Sequence, residues 1–243
     1  MNENWLTAIF NKYLSGTANA GLGLFGLKAQ DVAHPWETWL VMELLVVAIL
    51  VVTVAIVRSR LSVDHPGKLQ HTFESVYGFL NTQASDVGIA HPEKYLGFFA
   101  TLFIFIAAMN LIGIIPSFES PTMSVYVPAA LAMSTWVYYH IMGVRELGFW
   151  KYLAHFGGPI LALAPLMFVI EIIGHFARML SLTVRLYGNM FAGEQITNVF
   201  ISLTYLVVPV IFMGLHVFVS FLQAYVFTLL TMIYVSIGTS HEH

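Results

Sequence analysis

No lysine or arginine follows Arg185 through His243, and Arg185 itself lies inside an apolar stretch, Ser181-Leu-Thr-Val-Arg-Leu-Tyr-Gly-Asn-Met190. Long cation-free apolar sequence of this kind is helix-forming sequence for a lipid bilayer, where every backbone polar group must be satisfied within its own segment. A guanidinium cannot shed its proton in a protein, and holding it at bilayer depth costs roughly 3 kcal/mol or more. A chain that keeps the charge there needs it for a charged partner or a moving ion.

Charged residues make up 9% of the chain and hydrophobic residues 58%. Soluble domains average about 25% charged residues, so 243 residues are read here as a polytopic membrane protein with spans of about 20 residues each. Cysteine is absent, which excludes disulfides, thiolate zinc sites, iron–sulfur clusters and cysteine nucleophiles. The net charge of −3 comes with no basic cluster, so no nucleic-acid partner is expected. Glu3 stands where a signal peptide would place a cation, and no clean apolar core follows. No cleaved signal or transit peptide is expected.

The expected fold class is all-α, with about five membrane helices and one amphipathic surface helix. Residues 1–34 are read as an N-terminal surface segment with a short helix and a loop, and residues 35–243 as the membrane domain. Spans are expected over 36–57, closed by Arg58 and Arg60, over 95–115, ended by Pro116, and over 125–142. Residues 66–85 are too polar to cross. Leu69, Phe73, Val76, Tyr77 and Leu80 share one helical face there, the pattern of a helix lying on the membrane surface. Residues 145–156 form a polar, aromatic connector.

A helix opening at Pro159 is expected to run to about Phe191, with a break near 200–208 and a last helix over 205–237. These two helices form an antiparallel hairpin at about 159–238. Each exceeds the roughly 30 Å of hydrocarbon and must tilt, protrude or break. Arg58, Arg60 and Lys68 follow the first span, Arg145 and Lys151 the third, and the loop after the second carries only Glu119. The positive-inside rule then sets the N-terminus outside and the C-terminus in the cytoplasm.

Polar residues concentrate in the penultimate helix. Glu171, His175, Arg178, Arg185 and Asn189 follow spacings of 4, 3, 7 and 4, which keep them on one helical face. Glu194, nine residues past Arg185, faces the opposite way and lies about 13 Å further along the axis. In the last helix His216 and Gln223 are seven apart and share a face. Pairing Arg185 with Gln223 gives an index sum of 408, and pairing Glu194 with His216 gives 410. One antiparallel register therefore matches both pairs in depth. It sets an acid beside a histidine on the outer side, an arginine beside an amide near the middle, and Glu171 with His175 on the inner side. Glu and His exchange protons and Arg does not, which is the layout of a proton path interrupted by a fixed cation.

The segment 181–190, and the longer stretch Arg185-Leu-Tyr-Gly-Asn-Met-Phe-Ala-Gly-Glu194, resemble the signature of subunit a of the F-type ATP synthase membrane sector. So do Leu222-Gln-Ala-Tyr-Val-Phe-Thr-Leu-Leu-Thr-Met-Ile-Tyr234, Asn110-Leu-Ile-Gly-Ile-Ile-Pro116, and Pro66-Gly-Lys-Leu-Gln70 with Glu74. The likeness covers roughly residues 35–240, and the first 34 are not diagnostic.

The resemblance implies a non-catalytic stator subunit facing a ring of c subunits, each with one essential carboxylate. Arg185 would face that ring and separate two offset half-channels. Protons would reach the ring from outside along Glu194 and His216 and leave near Glu171, His175 and Ser181. Gln223, Asn189 and Ser181 would line the path or support the arginine. The implied partners are the c ring, the b-subunit peripheral stalk, the remaining F1Fo subunits and membrane lipid. No cofactor or metal is implied, and the implied location is a bacterial plasma (inner) membrane. Arg178 is an additional cation with no role carried over.

Two other classes fit less well. A stand-alone channel or secondary transporter would show an internal repeat or mid-span Gly/Pro breaks, and neither appears. An intramembrane serine protease would carry Gly-x-Ser-x-Gly, which is absent. A haem bundle needs facing histidines, and His140, His175 and His216 are expected at unmatched depths, His140 being solvated or interfacial. Asn110 is expected to cap or bridge helices, and Gly188 and Gly193 to permit close helix packing.

Overall fold

The computed structural model describes residues 4–24, 31–62, 65, 67–115, 118–155, 164–203 and 207–239. It is all-helical among these residues, with α1 (Trp5–Leu24), α2 (Thr38–Ser59), α3 (Lys68–Asp86), α4 (Leu96–Ile112), α5 (Tyr126–Leu147), α6 (Phe149–His155), α7 (Ala164–Leu203) and α8 (Val207–Thr239). Two single 3-10 turns, Pro92–Lys94 and Pro121–Met123, precede α4 and α5. Length and apolar composition suit Thr38–Ser59, Ala164–Phe200 and Val210–Thr239 to crossing a membrane. Leu96–Ile112 is equally apolar but shorter.

Local chemistry sets the ends. Arg58 sits in the last turn of α2, where a cation complements the helix dipole. Gly88 and Gly148 adopt φ of 85° and 79° just beyond α3 and α5, the left-handed conformation that closes a helix at little steric cost only with glycine. α5 is longer than expected, continuing through Arg145 and Glu146 to Leu147. The connector is itself a short helix, α6.

The hairpin differs more. α7 does not stop near Phe191 but stays helical through Leu203, 40 residues in all. Nothing in that stretch breaks a helix: it contains no proline after Pro165. A start at Pro159, a start at Tyr205 and the tail 240–243 lie outside the described residues. At 1.5 Å per residue α7 is about 60 Å long, twice the hydrocarbon thickness.

α8 is the central packing element, touching α3, α4, α5 and α7, while α5 packs on α7 and α2 on α4. Leu182, Leu186 and Met190 of α7 join Ala224 and Phe227 of α8 and Ile106 and Met109 of α4 in one core. In lipid such packing has little hydrophobic drive, so interhelical hydrogen bonds of about 1 kcal/mol each become decisive for register. Asn110 makes one to the Ser220 carbonyl at 3.3 Å and accepts another from Thr122 at 2.8 Å, all buried. It bridges helices, as its position suggested.

α3 is not simply a surface helix. Leu80 and Ala84 are buried against α4 and α8 while Leu69 and Tyr77 are exposed, because the inner face runs through Phe73, Val76, Leu80 and Ala84. Tyr225 of α8 donates to Gln83 at 2.7 Å, and Ser236 to the Val87 carbonyl at 2.9 Å. α1 is a full helix, tied to the start of α2 by reciprocal Asn11–Trp36 hydrogen bonds of 3.2 and 2.9 Å.

Candidate functional site

Arg185 lies beside the buried stripe of α7 and is itself half-buried. Among the described residues its hydrogen-bond partner is Ser181, one turn back on the same helix, with Nη2 donating to Oγ at 3.3 Å. Among the described residues no carboxylate pairs with it. A guanidinium has five donors in a fixed fork, so most of its capacity is directed away from the chain. Ser181 and Asn189 are exposed on either side of it.

From Arg185 toward the C-terminal end of α7 the polar seam crosses to α8. Asn189 donates to Gln223 Oε1 at 2.8 Å. Gln223 is buried, and its Nε2 has no partner. The amide expected level with Arg185 is thus engaged one turn further along α7, by Asn189, at an index sum of 412.

One turn beyond, the His216 ring of α8 lies against Gly193 of α7. A Cβ there would lie 2.9 Å from His216 Nδ1, and the imidazole is hydrogen-bonded to the Gly193 backbone. His216 is 9% exposed and its Nε2 has no partner. Glu194 Oε2 is likewise buried and unpartnered. The acid and the histidine therefore share a depth without touching through these atoms.

Glu119, on the loop before α5, lies within electrostatic reach of Glu194. That loop is fixed by a Ser120–Thr122–Asn110 chain of buried hydrogen bonds. The sequence marked Glu119 as the only charge of its loop but carried no signal that it approaches Glu194. Gly188, by contrast, has open space at its Cβ position.

On the other side of Arg185 the acid–histidine pair is assembled as its i, i+4 spacing requires. His175 Nε2 lies 3.5 Å from Glu171 Oε1, and Arg178 Nη2 donates to the same oxygen at 3.4 Å. The Arg178 guanidinium also sits 5.6 Å from the Tyr234 ring centroid, a cation–π distance. His175 is buried, hydrogen-bonded through Nδ1 to Tyr139 of α5.

His140 is half-buried. Its ring lies 4.4 Å from Trp136 and 4.7 Å from His175, centroid to centroid. The two histidines do converge, too closely to admit a macrocycle between them. Tyr152 of α6 closes the cleft. Its hydroxyl is pushed up to about 12, by burial first and then by the Glu171 carboxylate, and so stays neutral. Tyr139 was not distinguishable in the sequence from the other aromatics of its span. Among the described residues no group of His, Asp and Glu converges as a metal site.

The family model described as ATP synthase A chain matches residues 40–236. A protein named ATP synthase subunit a from Solibacter usitatus (strain Ellin6076) is 57% identical over 235 residues, covering 97% of this chain and 100% of that protein. One of the same name from Koribacter versatilis (strain Ellin345) is 45% identical over 243 residues, with 100% and 99% covered. Another from Geotalea daltonii is 42% identical over 222 residues, with 91% and 93% covered.

Proposed function

The chain belongs to the ATP synthase A chain family, and from that premise we propose that it is the non-catalytic stator of a rotary F-type enzyme, passing protons to and from a ring of c subunits. The coarser reading, a multi-pass membrane subunit of the proton-translocating Fo sector, follows from the family and the apolar helices. The observation that carries the finer one is Arg185: a half-buried cation in mid-helix that, among the described residues, is bonded to Ser181 and pairs with no carboxylate.

Such a charge has its lowest energy opposite an anion supplied by another subunit. A deprotonated ring carboxylate is that anion. Arg185 draws it from the preceding site, and no proton passes through a guanidinium, so the two half-channels stay separate. Outside protons reach the ring by way of Glu194 and His216, whose buried unpartnered oxygen and nitrogen are suited to exchange with water. Gln223, Asn189 and Ser181 line this seam and hold the α7–α8 register beside Arg185. Protons leave on the cytoplasmic side near Glu171 and His175. The hairpin at about 159–238 faces the ring, and residues 1–34 stay on the outer surface. A b-type peripheral stalk restrains the subunit against torque. The N-terminus is outside and the C-terminus cytoplasmic, in a bacterial plasma membrane.

Proton flux into vesicles tests this, with and without the c ring, wild type against Arg185→Ala. Flux that requires the ring, with ATP-driven pumping lost in the variant, is the expected result. Flux from the chain alone, indifferent to Arg185, means an independent channel and overturns the assignment.

A further inference from the structure

Arg178 has no part in the path above, yet it lies within a polar cluster with Glu171, His175 and Tyr139. Its guanidinium donates to Glu171 Oε1 at 3.4 Å and is within hydrogen-bonding reach of the Tyr139 hydroxyl. Tyr139 is bonded to His175 Nδ1 at 2.5 Å, and His175 Nε2 faces Glu171 Oε1 at 3.5 Å. The four side chains close a circuit.

An arginine is donor only, so in its contact with Tyr139 the phenolic oxygen accepts. With Nε2 of a neutral His175 turned to the Glu171 carboxyl, Nδ1 is the acceptor and the Tyr139 hydroxyl donates to it.

We propose that Arg178 and Tyr139 are positioning residues of the inner half-channel, holding the Glu171 carboxyl at the mouth of the α5–α7–α8 cleft and fixing the orientation of the His175 ring. The proposal rests on the reading of Glu171 as an exit-side group. Arg178 supplies the counter-charge and ties α7 to α8 through Tyr234. Tyr139 carries the constraint across to α5. The other titratable groups facing the circuit are His140 of α5, Tyr152 of α6 and Tyr234 of α8.

The test uses the complete ATP synthase in vesicles. ATP synthesis is driven by a fixed proton-motive force while the pH of the nucleotide-side medium is varied. Dividing each variant's rate by the wild-type rate at the same pH cancels the soluble sector's own pH dependence. Arg178→Gln and Tyr139→Phe, which removes a single oxygen, are each expected to lower the ratio about tenfold, the equivalent of one hydrogen bond to a charged group. The deficit should vary with medium pH, as a merely structural loss would not, and Arg178→Lys should recover most of the rate. If Glu171→Gln is slow while Arg178→Gln and Tyr139→Phe match wild type at every pH, the positioning role is overturned and the exit-side reading survives. If Glu171→Gln itself matches wild type, the exit-side reading fails and the proposal with it.

Discussion

Asn189 on α7 donates a 2.8 Å hydrogen bond to Gln223 on α8 and so joins the two long helices one turn beyond Arg185. The bond leaves Gln223 Nε2 buried and, among the described residues, without a partner.

Gln223→Leu removes both the bond and the free amide. An interhelical hydrogen bond in a membrane is worth about 1 kcal/mol, so the subunit should still assemble, with the α7–α8 register loosened. ATP-driven pumping is expected to fall several-fold while the amount of subunit in purified complexes is unchanged. Full pumping in this variant would show that the amide neither orients Arg185 nor serves the path.

Gly193→Ala places a methyl 2.9 Å from His216 Nδ1, closer than real side chains come. The His216 ring or one of the helices must shift, and overpacking of this kind costs about 1–3 kcal/mol. Outer-side proton uptake should drop more than in Gly188→Ala, where the added methyl meets open space. Equal behaviour of the two alanine variants, measured as quenching of a pH dye, would count against the close approach.

Glu194→Gln keeps the shape of the side chain and removes its ability to carry a proton. Complexes should assemble normally, and proton uptake from the outer side should slow by about 100-fold, the lower range for loss of a positioned proton-transfer group. Passive flux at the wild-type rate in assembled complexes would remove Glu194 from the path.

Tyr152 titrates near 12 in the folded protein against an ordinary 10. Its folded pKa is raised, so the stabilisation is complete below the unfolded value and is lost as pH climbs from about 10 through about 12. Thermal unfolding of the detergent-solubilised complex should show a shallower alkaline decline for Tyr152→Phe than for wild type. Superimposable curves would mean the hydroxyl is not held neutral by burial and Glu171.

Much of the site could be read along the chain because helical period does the work. Glu171 and His175 meet because four residues make about one turn. The index sums of 408 and 410 anticipated the hairpin to within a turn, since an antiparallel pair has only one free register. Tyr139, Glu119 and the backbone of Gly193 were not legible. Each enters the site from another element, or through main-chain atoms that no residue type announces.

Sequence alone determined that this chain crosses a membrane, that it keeps Arg185 in the middle of a long apolar helix, and which polar residues share a face with it. These follow from composition and from the 3.6-residue repeat, both local properties. Tertiary structure decided the partners: Asn189 rather than Arg185 against Gln223, Gly193 rather than Glu194 against His216, and Tyr139 against His175. Hydrogen bonds between helices depend on crossing geometry and rotamer over distances of an ångström, and contacts as far apart in sequence as Tyr139 and His175 are fixed only when the helices pack.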